Sequence, residues 1–186
     1  MSGPVALLDA NVLYPARLRD LLIRLDIAGL YQARWSEQIL DECFRNIIEN
    51  RPDLPTDRLA RTRQHMNAAL PAAMVDGFEE LIADQDLPDP DDHHVLAAAL
   101  KAGAGFLVTS NLDDFPADKV PTRIVVLSPD DFVMRLVTED LDSVADVVDA
   151  QAADLTNPPM TTNELLDGLE QVGLVRTVAQ LRPAIN

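Results

Sequence analysis

The sequence predicts an α/β protein: a mostly parallel β-sheet flanked by α-helices, with a helical extension at its C-terminal end. Short apolar runs alternate with segments of helical apolar spacing, a pattern typical of right-handed crossovers between parallel strands. Beyond Pro129 the spacing is helical throughout. We therefore predict a first domain over residues 1–133 and a helical extension over 134–186 that packs on it.

The predicted strands are short apolar runs bounded by turn or polar residues, as buried parallel strands are. Prolines or glycines lie near most of their ends and favour loops there. The four candidates are residues 5–8, 30–35, 106–109 and 123–127.

The predicted helices lie between and after these strands. Ser36 and Thr56 are each placed to cap the helix that follows, because a hydroxyl oxygen can accept a hydrogen bond from a free N–H of the first turn. Residues 72–86 fit either a helix or a strand. Helical segments are predicted over residues 18–29, 36–48, 56–70, 95–104, 130–155 and 162–182.

The charge of the chain is distributed unevenly. With 186 residues, 47% of them apolar, the chain can bury a sizeable core, but its net charge of −16 is unusual for a protein that handles nucleic acid. Residues 1–64 nevertheless contain nine arginines and nine acids, so the whole excess lies beyond residue 64. Two interpretations stay open: these arginines face a phosphate backbone, or they form a local lattice of salt bridges.

The two ends of the chain and its one cysteine carry few functional signals. The apolar stretch over residues 4–8 is too short for a targeting signal and Asp9 interrupts it, so we expect a cytoplasmic protein without a membrane segment. Cys43 is the single cysteine and lies in a helical pattern. No internal disulfide can form, and we predict that Cys43 packs in the core.

Acidic residues follow the predicted strands at the end where the loops of an open parallel sheet converge. We therefore expect side chains from four distant segments to meet at one edge of the sheet. The residues are Asp9, Glu42, Asp89, Asp92, Asn111, Asp113 and Asp114.

Carboxylates brought together in this way repel, by about 4 kcal/mol for a pair 4 Å apart at an effective dielectric of 20. A divalent cation removes that penalty. Oxygen ligands without a converging set of His or Cys favour Mg²⁺ or Mn²⁺ over zinc. Such an ion makes water a better nucleophile and neutralises charge on an attacked phosphate. The pattern fits one ion or two.

Four segments resemble, in order and spacing, the motifs of the PIN-domain family, and the resemblance spans residues 5–133. Leu8-Asp-Ala-Asn-Val-Leu-Tyr resembles the opening strand motif, with Asp9 as the matching acid. Ile39-Leu-Asp-Glu-Cys-Phe-Arg-Asn-Ile is similar to the segment that carries the family's helical glutamate, which corresponds to Glu42.

The last two motifs lie around the alanine-rich helix and the strand after it. Leu87-Pro-Asp-Pro-Asp-Asp-His-His-Val-Leu-Ala-Ala-Ala resembles the third motif, with Asp92 aligned best to its acid and Asp89 as a companion. Leu107-Val-Thr-Ser-Asn-Leu-Asp-Asp-Phe-Pro resembles the last strand and its acidic loop.

The last motif departs from the family pattern at one position. Many PIN proteins have an aspartate two residues after the threonine, whereas this chain has Asn111 there. The Asn111 amide can orient a water on the ion. We take Asp114 as the fourth acid, with Asp113 as the alternative.

The resemblance implies a metal-dependent endoribonuclease similar to the VapC-type toxins of bacterial toxin–antitoxin pairs. It implies an RNA substrate, a homodimer and a small antitoxin partner. The helical tail is longer than those small toxins need. The implied catalytic residues are Asp9, Glu42, Asp92 and Asp114; the implied metal ligands are Asp9, Asp92, Asp114, Asn111 and Asp89.

Several polar residues near these acids are candidates for contacts with substrate. Arg45 and Asn46 follow Glu42 by three and four residues, so they share its helix face and can orient the carboxylate, contact phosphate or form a plain surface ion pair. Thr109 is predicted to hydrogen-bond Asp9. The substrate-binding candidates are Arg45, Asn46, Asn11 and Thr109.

Other classes fit less well. A receiver domain needs an acid pair after its first strand, and a haloacid-dehalogenase-like phosphatase needs a second aspartate where this chain has Asn11. His93 and His94 are adjacent on a helix and point about 100° apart, so they cannot comfortably ligate one ion. The remaining alternative is a catalytically inactive PIN scaffold that binds another protein.

Overall fold

The central element of the computed structural model, which describes residues 3–185, is a four-stranded parallel sheet. Its strands are β1 (Val5–Leu8), β2 (Gln32–Arg34), β3 (Phe106–Val108) and β4 (Val125–Leu127). The strand order is β2-β1-β3-β4, and every pair is parallel. The predicted fold class is confirmed, and all four strands fall within the predicted segments.

Helices cover the sheet and form the C-terminal part of the chain. Two short 3₁₀ turns, Pro90–Asp92 and Leu112–Asp114, lie between them. Within residues 3–185 the α-helices are α1 (Ala10–Leu13), α2 (Ala16–Ile27), α3 (Glu37–Asn50), α4 (Thr56–Ala69), α5 (Glu79–Ile82), α6 (His93–Lys101), α7 (Pro129–Glu139), α8 (Leu141–Asp154), α9 (Thr162–Gln171) and α10 (Val175–Ile185).

The starts of α3 and α4 test the two predicted caps. The Ser36 hydroxyl accepts a hydrogen bond from the N–H of Ile39 at 3.2 Å, as predicted. The prediction for Thr56 is wrong, because Thr56 is already the first residue of α4 and Pro55 occupies the cap position. Pro55 has φ −62° and ψ 130°, an extended conformation that its ring favours, so the helix starts directly after it.

The ambiguous segment over residues 72–86 contains both kinds of structure. Met74 forms a parallel bridge with Trp35, which extends the sheet edge beyond β2. The short helix α5 then follows at Glu79–Ile82. Each of the two interpretations therefore holds for part of the segment.

The predicted single helix over residues 130–155 is wrong in one respect, since the chain breaks it into α7 and α8. Asp140 lies at the break with φ −154° and ψ 81°, outside the helical region. Its side chain accepts a hydrogen bond from the N–H of Ser143 at 3.1 Å and so caps α8. The competition of a short carboxylate side chain with the helical backbone explains the break.

The C-terminal helices pack against the part of the chain that carries the sheet. The Gln151 amide of α8 donates a hydrogen bond to the carbonyl of Arg17 in α2 at 3.0 Å. The Asp130 carboxylate of α7 accepts hydrogen bonds from the N–H groups of Arg176 and Thr177 at 3.0 and 2.9 Å. The domain boundary after residue 133 stays a prediction, and it falls inside α7.

Most arginines of the first third are bound to acids or carbonyls, as the salt-bridge interpretation expects. Arg19 is only 9% exposed and donates a hydrogen bond to the carbonyl of Leu13 at 2.7 Å. The exposed Arg45 has no ion-pair partner in the described part of the chain. The ion pairs of this region are Arg24 with Asp20 and Asp154, Arg51 with Asp53, Arg61 with Asp57, and Arg63 with Glu37 and Asp41.

Cys43 is a free, buried thiol in α3, as predicted, and burial raises its pKa to about 11.

Over residues 3–185, no helix combines the length and the apolar character needed to cross a bilayer.

Candidate active site

The carboxyl ends of β1 and β3 carry a hydrogen-bonded network around Asp9. The register pairs Leu8 with Val108, so the residues that follow them, Asp9 and Thr109, lie side by side. Asp9 Oδ2 accepts hydrogen bonds from Thr109 Oγ1 at 2.8 Å and from Asn11 Nδ2 at 2.7 Å. The predicted bond between Thr109 and Asp9 is therefore present.

The same network fixes the loop after β3. Asn11 Oδ1 accepts a hydrogen bond from the N–H of Ser110 at 2.9 Å, and Thr109 Oγ1 accepts one from the N–H of Asn111 at 3.1 Å. Asp9 Oδ1 also accepts a hydrogen bond from the N–H of Ala10 at 2.7 Å, which caps α1. Asp9 is thus held at both of its carboxylate oxygens.

Asp9 is a buried carboxylate, only 5% exposed. Burial raises its pKa, and the hydrogen bonds from Thr109 and Ala10 partly offset that effect. The Glu42 carboxylate raises the pKa further by repulsion, whereas His94 lowers it. Asp9 and Glu42 therefore act on each other across the sheet edge, although they come from different segments.

Glu42 lies on α3 and is bound to α6. Its Oε1 is 2.9 Å from Nε2 of His94, a side chain that is only 3% exposed. An ionised carboxylate can only accept, so His94 Nε2 carries the proton of this bond. His93 turns elsewhere and accepts a hydrogen bond from the N–H of Leu87 at 3.2 Å. The two histidines diverge, as the helix geometry predicts.

Asp92 is repelled by acidic residues of several segments. It is half-buried at the start of α6, and its pKa is raised to about 6. The largest cause is burial, followed by repulsion from four other carboxylates. These are, in decreasing order of effect, Asp9, Asp114, Asp89 and Glu42. Carboxylates from four separate segments therefore act on one another at one edge of the sheet.

The other predicted acids occupy more exposed positions. Asp89 Oδ1 accepts a hydrogen bond from the N–H of Asp91 at 2.9 Å, so this acid also caps the 3₁₀ turn before α6. Asp114 is half-buried in the second 3₁₀ turn, while Asp113 and Asn111 are exposed. Among the three candidates after β3, only Asp114 is among the carboxylates that raise the pKa of Asp92.

The predicted substrate residues on α3 lie at the edge of the site. Arg45 is exposed and lines a cavity of about 300 Å³ together with Glu42, His94 and Gln38. Asn46 is also exposed, and its backbone carbonyl accepts a hydrogen bond from Asn50 at 2.8 Å. Arg45 therefore borders the acidic cluster, whereas Asn46 has no described contact with it.

The donor set fits a hard cation that keeps part of its water shell. Within residues 3–185, no three side chains of His, Cys, Asp or Glu are arranged to hold a metal ion directly as they stand. Burial and, after it, repulsion from the neighbouring carboxylates nevertheless raise the pKa of Asp92. Mg²⁺ commonly takes only one or two carboxylates and retains several waters, so it does not need a cage of three protein ligands. Oxygen donors and mutual repulsion both suit such an ion.

His94 is the residue of this site that the sequence analysis did not assign. Helix geometry indicated that His94 cannot share a metal ion with His93. Nothing in the sequence indicated its bond to Glu42, which lies 52 positions away in the chain. Its position two residues after Asp92 is the only sequence feature that places it near the acids.

The four-stranded parallel sheet, with acids collected at the carboxyl ends of its strands, defines an α/β protein with an acidic site at the sheet edge. Residues 5–113, more than half of the chain, match the family model of the PIN domain. The chain therefore belongs to the PIN-domain family. Residues 129–183 match a second family model, the VapC50 C-terminal domain.

A similar protein is "Putative ribonuclease VapC50" of Mycobacterium tuberculosis (strain ATCC 25618 / H37Rv). The two chains are 37% identical over 105 residues, which make up 55% of this chain and 62% of the relative. The match thus covers less than two thirds of that protein. No solved structure matches the chain significantly.

Proposed function

We propose that the protein is an endoribonuclease that depends on Mg²⁺ or Mn²⁺ and acts as the toxin of a toxin–antitoxin pair in the cytoplasm. The observation that carries this proposal is the buried Asp9 carboxylate at the carboxyl ends of β1 and β3, held there by Thr109 and Asn11. At the same edge, burial and then repulsion from carboxylates of four segments raise the pKa of Asp92. Membership of the PIN-domain family and the ribonuclease name of the relative support it. We further propose that it forms a homodimer and binds a small antitoxin protein.

Asp9, Asp92 and Asp114 are the proposed ligands of the ion, with Asn111 and Asp89 as further oxygen donors. When bound, the ion would acidify a water and neutralise charge on the attacked phosphate. Asp9 is preorganised for this role, because Thr109 and Asn11 hold its Oδ2 and Ala10 holds its Oδ1. A carboxylate has about four lone-pair sites, and these bonds occupy two on Oδ2 and one on Oδ1, so Oδ1 keeps one site for a cation.

Contact with RNA requires positive charge close to the acidic cluster. Arg45 supplies it, because this side chain is exposed, has no ion-pair partner in the described part of the chain and borders the cavity that contains Glu42. A guanidinium can bind a phosphate through two parallel hydrogen bonds. We propose that Arg45 binds a phosphate next to the cleaved one and that Asn46 assists from the next position.

Cleavage assays on the purified protein test the nuclease proposal. We expect Mg²⁺ or Mn²⁺ to support cleavage of RNA but not of DNA of the same sequence, and EDTA to abolish it. Asp9→Asn should lower the rate by more than about 100-fold, since loss of a residue that merely supports a metal ligand already costs up to that much. Asp146→Asn, the same substitution on the exposed face of α8, is the matched control and should cleave normally.

The toxin proposal has a separate test in cells. Expression of the wild-type chain should arrest bacterial growth, and Asp9→Asn should relieve the arrest while the protein accumulates to the same level. Persistent toxicity in that variant would contradict a nuclease origin of the arrest.

An inactive PIN scaffold that binds another protein is the second candidate function. Two observations favour it: Asn111 replaces an acid common in the family, and no three side chains of residues 3–185 form a ready metal-binding group. Calorimetric titration with Mn²⁺ separates the two candidates. A nuclease gives a binding isotherm that Asp92→Asn weakens, whereas a scaffold gives no binding heat at the acidic edge.

A further inference from the structure

The imidazole of His94 joins two helices that each carry an acid of the site. His94 lies on α6, two residues after Asp92, and its Nε2 is 2.9 Å from Oε1 of Glu42 on α3. At 3% exposure the imidazole is fixed by packing, whereas the side chain of Glu42 is 26% exposed. The buried ring is therefore the more constrained partner of this bond, and Glu42 is the more exposed one.

Glu42 has a competing partner on its own helix. Arg45 follows it by three residues, and side chains at this spacing on a helix are neighbours that readily form ion pairs. Both residues line the same cavity, and Arg45 has no ion-pair partner in the described part of the chain. Without the bond to His94, the Glu42 carboxylate would be free to turn to the Arg45 guanidinium.

Packing alone does not account for a histidine at this position. Nδ1 of His94 is buried and has no hydrogen-bond partner among the described residues. Leaving a buried polar atom unpaired destabilises the folded state, so an apolar side chain of similar size would fill the same space more favourably. The bond from Nε2 to Glu42 is the one polar interaction that a leucine could not replace.

We propose that His94 is a positioning residue, whose Nε2–H bond holds the Glu42 carboxylate at the acidic site and keeps it from pairing with Arg45. This inference rests on the proposed nuclease function. It assigns one imidazole two effects: Glu42 stays beside Asp9 and Asp92, and the Arg45 guanidinium stays free for an RNA phosphate.

The test compares His94→Gln with His94→Leu. The glutamine Nε2 can donate in place of the imidazole Nε2, whereas leucine fills the space without a donor. At saturating RNA and metal, His94→Leu should lower kcat about 10- to 100-fold, the usual cost of losing a residue that orients a site carboxylate. His94→Gln should recover most of that loss. Thermal unfolding should show His94→Leu to be at least as stable as the wild type.

Two double variants show whether the effect passes through Glu42. His94→Leu combined with Glu42→Gln should cleave no more slowly than Glu42→Gln alone, because residues that act as one unit are not additive. Mn²⁺ affinity, measured without RNA, should fall in His94→Leu, because a Glu42 carboxylate that pairs with Arg45 adds less negative charge beside the ligands Asp9 and Asp92. It should partly recover when Arg45→Gln is added, since Glu42 then has no arginine to pair with.

The outcomes separate the two levels of the proposal. If Glu42→Gln slows cleavage but His94→Leu cleaves and binds Mn²⁺ like the wild type, the positioning role is overturned and the nuclease stands. If His94→Gln is as impaired as His94→Leu at equal stability, the hydrogen bond is not the cause and the inference also fails. A wild-type protein that neither cleaves RNA nor binds Mn²⁺ would overturn the proposed function, and the inference with it.

Discussion

This acidic chain contains two sets of aspartates whose pKa values move in opposite directions. On the surface, Asp57 and Asp86 lie beside Arg61 and Lys119, and hydrogen bonds to those cations lower their pKa values. At the sheet edge, burial and neighbouring carboxylates raise the pKa of Asp92 to about 6. The side chains are chemically identical, so the difference lies in what the fold places beside them.

The fold leaves mutual repulsion between carboxylates at the sheet edge and not on the neighbouring surface of α3. Asp41 and Glu42 are adjacent on α3, yet Asp41 pairs with Arg63, while Glu42 is bound to a histidine although Arg45 is within reach. Surface acids such as Asp57 and Asp86 pair with basic neighbours, whereas the acids of the sheet edge repel each other. If the proposed function holds, a divalent cation relieves this repulsion, and that expectation can be tested.

The largest expected effect comes from removing one charge at the sheet edge. Asp92→Asn should reduce RNA cleavage by more than about 100-fold, the scale set by losing even a supporting residue of a metal site. It should also raise the free energy of unfolding in EDTA at pH 8, because it removes a half-buried charge that four carboxylates repel. Cleavage rates and urea unfolding measure the two effects.

The surface counterpart of this variant is Asp57→Asn, which removes a carboxylate whose pKa is lowered by Arg61. It should leave cleavage unchanged and should not raise stability. If both variants stabilise the metal-free protein alike, the proposed distinction between the two groups of acids is wrong.

A smaller effect, on the free energy of unfolding, is expected when a hydrogen bond to Asp9 is removed. Thr109→Val keeps the shape of a fully buried side chain but removes its hydrogen bond to Asp9 and its two accepted bonds. The folded state should lose about 1–3 kcal/mol, the cost of leaving buried polar groups unpaired. Denaturant unfolding measures this loss. Thr138→Val removes a hydroxyl from the exposed face of α7 and should cost far less.

Ion binding at the sheet edge should depend on pH. The folded-state pKa of Asp92 is raised from 3.8 to about 6, so this group stabilises the metal-free fold at low pH and loses that contribution as the pH rises through about 6. Mn²⁺ binding requires the ionised form, so affinity should increase by up to about tenfold per pH unit below that value and then level off. Calorimetry at several pH values measures the curve.

Asp92→Asn is the control for this curve and should flatten it. A dependence of the same slope in the variant would assign the titration to another group.

The smallest expected change in stability comes from breaking an exposed ion pair at the surface. Arg61→Gln breaks the exposed pair with Asp57 in α4 and should change the unfolding midpoint by an amount close to measurement error, because exposed ion pairs contribute little. A large loss would show that the surface pairs stabilise the fold more than their exposure implies.

The sequence predicted the features that depend on local pattern. Leu7 and Leu107 lie in short apolar runs that predict strands. Ser36 lies directly before the first residue of its helix, at the N-cap position. The meeting of Asp9 with the segments of Asp92 and Asp114 could also be predicted, because the carboxyl ends of parallel strands share one edge.

Three other features could not be predicted in this way, each for a different reason. The break at Asp140 arises because its side chain competes with the helix backbone, and many aspartates do not do so. The four residues of α1 are too few to show a helical period. The bond between Glu42 and His94 joins residues of two helices, and only the packing of α3 near α6 brings them together.

The most direct test of the central claim is an anomalous-difference map from a crystal of the wild-type protein grown with Mn²⁺. We predict a strong peak at the sheet edge, within ligand distance of the carboxylates of Asp9 and Asp92. A map with Mn²⁺ bound only elsewhere, such as along the acidic surface of α8, would contradict the claim that these remote acids form one cation site.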